Sequence, residues 1–230
     1  MKIKNAHLTH SSGPLGQDLH LKAGEITLLG GDSGSGKTSL MLCISGFKDL
    51  KAGEMEPAPQ AVAMLLQNPF HQIIMQKAYD ELLFPMKNAG MADGEAQAEL
   101  SKIANMLKIE HLLDRDMNTL SFGETQLLMI AATCLSPANI YCFDEATSHL
   151  DPPYIKLFYA VLRYLADKNK IILASTQSLD EYAFADNVII LNKGSIQDVY
   201  SKAEWKNQLK KASIKTDRQL IINKLEGLAK

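Results

Sequence analysis

The sequence predicts an α/β domain built on a largely parallel sheet. Two observations carry this reading. Short apolar runs of strand length alternate with helix-length segments over most of the 230 residues. The first of these runs opens, through a glycine-rich turn, directly into a helical segment. A hydrophobic content of 46 % with 22 % charged residues suits a chain that buries a core, and the length falls within the range of one domain.

Taken in order, Ile26–Gly30 (ITLLG) reads as a buried strand, followed by the glycine-rich turn and a helix from Lys37 to about Ser45. Ala61–Leu66 (AVAMLL) reads as the next strand. From Tyr79 to Leu113 the pattern becomes helical: Ala96, Leu100, Ile103 and Leu107 share one helical face, with Asp93 as the expected N-cap. Ile140–Phe143, Ile171–Ala174 and Val188–Leu191 read as buried strands, separated by helices over Tyr154–Asp167 and Leu179–Ala185. The whole chain, 1–230, is read as a single domain. Within it, residues of about 79–136 form an inserted helical subdomain and about 201–230 a Lys-rich helical tail carrying Trp205, Leu209, Leu220 and Leu225.

Composition excludes several classes. A formal charge of −2, from 24 basic and 26 acidic side chains, offers no bulk attraction for nucleic acid, and none is expected as a partner. The longest nearly unbroken apolar run, Leu127–Leu135, is far short of the ~20 residues a spanning helix needs, so the chain is expected not to cross a membrane by itself. The first twenty residues hold no apolar core of the signal-peptide kind. Three cysteines, Cys43, Cys134 and Cys142, sit in apolar surroundings without metal-ligand spacing, as buried reduced thiols do.

The segment Gly31-Asp32-Ser33-Gly34-Ser35-Gly36-Lys37-Thr38 matches G-x-x-x-x-G-K-[ST] between a strand and a helix. Glycines there let successive backbone N–H groups turn inward around phosphate oxygens, and the helix that follows aims its positive end at the same anion. Lys37 is placed to meet the β- and γ-phosphates, and the Thr38 hydroxyl to ligate Mg²⁺. The loop alone does not separate a kinase, a GTPase and a motor ATPase.

The second half of the chain narrows the choice. Ile140–Phe143 ends in two carboxylates: Asp144 can hold Mg²⁺ through water, and Glu145 can reach the attacking water as general base. Leu120-Ser121-Phe122-Gly123-Glu124 opens an apolar helix, Ser148-His149-Leu150-Asp151 follows the carboxylates, and Gln67-Asn68-Pro69 closes a strand. In this order the segments resemble the ATPase subunit of ABC transporters over essentially the whole chain. Gly31–Thr38 stands where that family has its Walker A loop and Gln67 where it has its Q-loop. Leu120–Glu124 takes the place of the signature, Ile140–Glu145 of Walker B and Ser148–Asp151 of the D-loop. Gln67-Asn68-Pro69-Phe70-His71-Gln72-Ile73, followed by Tyr79-Asp80-Glu81-Leu82-Leu83-Phe84, looks like the QNPxxQ and D-E-x-x-F pattern of energy-coupling-factor importers of vitamins or metal ions.

The resemblance implies a P-loop NTPase with ABC ATPase architecture: a mostly parallel core, N-terminal antiparallel strands and a helical subdomain. It implies ATP and Mg²⁺ as cofactors, with Thr38, Gln67 and Asp144 near the metal. It assigns catalysis to Glu145, Gln67 and Gln177. It also implies a head-to-tail dimer, in which Ser121 and Gly123 meet the nucleotide of the other subunit, and a transmembrane scaffold docking near Gln67 to Met86. The expected location is the cytoplasmic face of the membrane. The alternatives are a soluble ABC-type ATPase without a membrane partner, and an ATP-binding regulatory half that hydrolyses weakly.

Four positions depart from the family pattern. Gln177 replaces the switch histidine and cannot become a cation near neutral pH. The signature reads LSFGE, so Phe122 adds bulk where glycine is usual, while Glu124 forms a capping box with Ser121. The usual adenine-stacking aromatic is absent; His10 falls closest to its place, with His7 second. Ala146 replaces a proline after Walker B. In a head-to-tail dimer Gln177 and Phe122 belong to opposite sites, which suggests a second, non-identical ATPase as partner; the expected dimer is hetero- or homodimeric.

Overall fold

The computed structural model describes residues 1–8, 13–58, 61–205 and 207. Its centre is a six-stranded sheet. β3 (Ile26–Gly30), β5 (Val62–Leu65), β6 (Ile140–Phe143), β7 (Ile171–Ser175) and β8 (Asn187–Asn192) run parallel, and β9 (Ser195–Ser201) pairs antiparallel with β8. The spatial order is β5-β6-β7-β3-β8-β9. β1 (Lys2–His7), β2 (Leu19–His20) and β4 (Ala52–Glu56) form a separate antiparallel sheet in the order β2-β1-β4.

Successive residues of the central strands feed two different cores, because strand side chains alternate between faces. Leu28, Phe143, Ala174 and Ile190 point to one side, where α2 (Ala78–Asn88), α3 (Asp93–Leu107), α4 (Phe122–Leu135) and α5 (Pro152–Asp167) contribute the packing. Leu29, Cys142, Leu173 and Ile189 point to the other, against α1 (Lys37–Ile44) and the antiparallel sheet. Coverage on both faces explains why these strands read as unbroken apolar runs. Phe158 on α5 is fully enclosed and meets Phe143 and Tyr159 edge-on at 5.3 and 5.1 Å. The α4 helix is apolar on every side and almost wholly buried among α2, α3, α5 and β5, as an enclosed helix must be.

Several local expectations change. The segment expected as a helix over Leu179–Ala185 is a 3-10 helix, Leu179–Phe184. Ala92, with no side-chain cap, stands at the N-cap of α3, and Asp93 is its first residue, paired with Lys87. Asp93 thereby complements the helix dipole instead of capping it. β1, β2 and β4 have no counterpart in the apolar runs, since their residues are mostly polar and β4 is largely exposed. The tail expected over 201–230 lies, beyond Trp205 and Asn207, outside the described residues; Trp205 itself is buried against Tyr182 and Tyr200. All three cysteines are free and buried, and burial raises the Cys142 thiol to about 12. Among the described residues no helix is long and apolar enough to cross a membrane.

Asp186 anchors the start of the central strand. Its carboxylate accepts from the N–H of Ile26 at 2.9 Å and from Arg163 at 2.7 Å, with Lys202 at 3.4 Å. Burial pushes its pKa up, but the Ile26 N–H and the Arg163 and Lys202 charges hold it below the usual carboxylate value. A depressed folded-state pKa stabilises the fold above the unfolded value and loses that contribution as pH falls through the folded one. The stability advantage of the wild type over Asp186→Asn in urea melts should therefore be full above about pH 4 and shrink under more acid conditions. Phe158→Ala should cost about 3–5 kcal/mol in the same melts, because it empties a site enclosed on all sides.

Candidate active site

The parallel topology brings the C-terminal ends of β5, β6, β7 and β3 to one edge, where α/β sheets bind ligands. β3 runs into the loop Gly31–Thr38. α1 then begins at Lys37, with Gly36 at its N-cap, whose φ of 108° marks left-handed backbone. No side chain caps α1 and no acidic residue lies in its first turn, so its leading N–H groups are left for an external acceptor. The Ser35 hydroxyl is buried and without a hydrogen-bond partner. Lys37 is 4 % exposed, and its ammonium donates to the carbonyl oxygens of Gly31 at 2.7 Å and Asp32 at 2.9 Å. Burial lowers its pKa, while Glu145, Asp144 and Asp32 oppose that shift.

β6 runs directly into Asp144, which is buried. Its Oδ2 accepts from Thr38 Oγ1 at 2.6 Å and its Oδ1 from Ser175 Oγ at 2.7 Å. Ser175, at the end of β7, also accepts from the Glu145 N–H at 2.8 Å. Glu145 has φ 50°, a left-handed conformation uncommon for a residue with a side chain. This turn presents its carboxylate at the cleft mouth, where the Gln67 amide donates to Oε2 at 3.1 Å and the Gln177 amide to Oε1 at 2.8 Å. Residues from four loops thus meet within hydrogen-bonding distance.

The cleft these groups border measures about 440 Å³. Ser33, Gly34, Gly36, Lys37, Thr38, Gln67 and Glu145 line it, together with Leu8, Ser39, Lys193 and Gly194, which sequence reasoning did not single out. Lys193 and Gly194 form the β8–β9 turn with φ of 49° and 83°, the pair of positive values that a tight hairpin asks for. The Gly194 N–H donates to the Ser35 carbonyl at 2.8 Å, so the hairpin tip braces the phosphate loop. The Lys-Gly pair was the legible signal for that turn. His10 lies outside the described residues, and His7 does not line the cleft.

Ser121, Phe122 and Gly123 are not part of this cleft. They start α4 through the expected capping box: the Glu124 N–H donates to Ser121 Oγ at 3.3 Å, and Glu124 Oε2 accepts from the Ser121 N–H at 2.7 Å. The backbone and hydroxyl of Ser121, then Arg115, hold the Glu124 carboxyl below its ordinary pKa. Phe122, 38 % exposed, sits edge-on to His149 at 4.4 Å and to Phe70 at 5.4 Å. Its bulk is taken up by an aromatic cluster that joins the segments around Gln67, the start of α4 and the turn after Glu145.

The sequence profile of the ABC transporter family matches residues 16–148. The chain belongs to the ABC transporter family. A putative ABC transporter ATP-binding protein of Methanosarcina mazei is 31 % identical over 91 % of this chain. The energy-coupling factor transporter ATP-binding protein EcfA1 of Halalkalibacterium halodurans is 29 % identical over 78 % of this chain and 69 % of its own length. The chain spans about two fifths of the length of three of the curated ABC relatives it matches, among them that of Methanosarcina. Among solved structures, CbiO1 of Clostridium perfringens, part of the ABC transporter complex CbiONQ, superposes with a TM-score of 0.78 at 21 % identity, covering 98 % of both chains. The dimeric ATP-binding cassette MJ0796 bound to ADP and phosphate superposes at 0.75 with 20 % identity, over 87 % of this chain and 98 % of that one. The fold is therefore that of an ABC ATPase cassette.

The two glycines with the clearest difference in surroundings test the loop geometry. A Cβ on Gly31, at φ 122°, would drive into the Leu191 carbonyl, whereas Gly34, at φ 78°, faces open space. Gly34→Ala should cost about 1–2 kcal/mol in denaturant melts, the left-handed strain alone. Gly31→Ala should cost distinctly more and should also weaken ADP binding by calorimetry.

Proposed function

We propose that this chain is the ATP-binding and ATP-hydrolysing subunit of a membrane importer of the energy-coupling-factor type, moving a vitamin or a metal ion. In this reading it works beside a second, non-identical ATPase. The observation that carries the enzymatic part is the Glu145 carboxylate, aimed at the phosphate-loop cleft by a left-handed backbone and held by two amides.

The uncapped start of α1 and the Gly31–Thr38 backbone would receive the phosphates. Lys37 would exchange the carbonyls of Gly31 and Asp32 for β- and γ-phosphate oxygens. Thr38 and Asp144, already joined at 2.6 Å, are the hard oxygen donors that would hold Mg²⁺. The chemistry it would supply there is neutralisation of charge on the phosphate. Glu145 would take the proton of the water that attacks the γ-phosphorus, with ADP and phosphate as products. Gln67 and Gln177 would orient that carboxylate. Gln177 has no protonated state near neutral pH to help the leaving charge, which supports slow hydrolysis at this chain's own site.

Similarity to EcfA1 and the QNPxxQ stretch support the importer type, and exposed Phe70 and Ile74 support a docking face for a transmembrane partner near Gln67 to Met86. That partner would hold the chain at the cytoplasmic side of the membrane. Ser121 and Gly123, placed away from this cleft, would serve the nucleotide of the second ATPase.

Glu145→Gln should lower kcat about 100-fold or more in a phosphate-release assay, with ATP binding retained. Unchanged turnover in that variant would remove Glu145 from its role. The isolated chain should hydrolyse ATP slowly. A tagged chain drawn from detergent-solubilised membranes should bring a second ATPase and a transmembrane protein, identified by mass spectrometry; fast turnover alone and an empty pull-down would speak against the paired importer.

A further inference from the structure

The Glu181 carboxylate lies in the 3-10 helix Leu179–Phe184, 5 % exposed, and takes no part in the cleft. Three hydroxyls surround it. Thr147 Oγ1 lies at 3.1 and 2.9 Å from its two oxygens, Tyr159 OH donates to Oε2 at 2.7 Å and Thr176 Oγ1 to Oε1 at 2.9 Å. No Lys, Arg or His forms an ion pair with it among the described residues. A buried carboxylate served only by neutral donors is costly to keep, and core packing alone would be met as well by apolar side chains.

Two of the three hydroxyls stand beside residues of the cleft mouth in the chain. Thr147 is two residues beyond Glu145, Thr176 is one residue before Gln177, and Tyr159 stands on α5. Between Glu145 and Thr147, the Ala146 carbonyl accepts from the buried Gln126 amide at 2.9 Å. The Ser178 N–H donates to Thr176 Oγ1 at 3.0 Å, so the turn past Gln177 closes onto the same cluster. Glu181 therefore clasps the two loops that deliver the partners of the 2.8 Å Gln177–Glu145 hydrogen bond. The left-handed backbone of Glu145 persists only where its surroundings over-determine it. Ser175 fixes one side of that residue and the Gln126–Ala146–Thr147–Glu181 contacts the other.

We infer that Glu181 is a positioning residue: through Thr147 and Thr176 it holds the Glu145 and Gln177 loops in the register that points the Glu145 carboxylate into the nucleotide cleft and the Gln177 amide onto that carboxylate. The inference rests on the ATPase reading for its kinetic consequence, and on hydrogen bonds alone for its mechanical one.

Thr147→Val keeps the side-chain shape and removes one hydroxyl, and Glu181→Gln keeps the shape and removes the charge. In the full chain each should lower kcat about tenfold, because small displacements of reacting groups are expensive. The KM for ATP and the Kd for ADP should move by no more than about twofold, since the phosphate loop is untouched. Thr147→Ser, which restores the hydroxyl, should recover most of the rate. Amide hydrogen exchange should quicken over residues 145–149 and 176–179 while that of β3 and α1 stays as in the wild type. Unchanged kcat in folded Thr147→Val, or exchange that quickens equally throughout the chain, would overturn the inference. Absence of turnover in the wild type would overturn the ATPase reading, and the exchange pattern would then still decide whether Glu181 holds these loops.

Discussion

The buried Asp144 carboxylate is the contact on which the organisation of the cleft depends. It is 1 % exposed and sits between two hydroxyls, Thr38 at 2.6 Å and Ser175 at 2.7 Å. A charge so enclosed is tolerable only when its oxygens are satisfied. Meeting that demand ties the start of α1, the end of β6 and the end of β7 to one point. Ser175 passes the constraint on, since the same oxygen accepts from the Glu145 N–H. Local chemistry and sheet topology therefore demand the same arrangement: β6, β7 and β3 are neighbours, and their ends must meet.

Around that point the structure separates into a rigid inner layer and a more adjustable outer one. The inner layer is made of Asp144, Thr38, Ser175 and the Glu181 cluster, all short hydrogen bonds between buried or half-buried groups. The outer layer is the pair of amides on Glu145, formed by exposed side chains. Exposed hydrogen bonds contribute little net stability, so Gln67 and Gln177 can exchange partners at small cost while the backbone beneath them stays in place. The aromatic cluster of Phe70, Phe122 and His149 occupies the same outer level, linking the Gln67 segment with the start of α4.

Much of the core was legible in sequence for a physical reason. Strands covered on both faces leave continuous apolar runs, so β3, β5, β6, β7 and β8 stand out. The Ser121–Glu124 capping box was legible because it is local, three residues apart. β1, β2 and β4 were expected only through the family resemblance, since their residues are mostly polar and their pairing, such as Lys2 with Glu56, joins segments far apart in sequence. Asp93 and the Leu179–Phe184 segment were misjudged at the level of a single turn, where a cap and a first residue, or an α and a 3-10 turn, share nearly the same composition.

The sequence by itself determined the alternating architecture, the phosphate loop and the identity of the carboxylates after β6, because each depends on residue type at short spacing. Tertiary structure alone decided how the distant loops meet. It placed Gln177 on Glu145, turned Phe122 toward Phe70 and His149, set Lys193 and Gly194 beside the phosphate loop, and buried Glu181 among three hydroxyls. Those contacts join residues from different strands, and only the order in which the strands lie side by side brings them within reach.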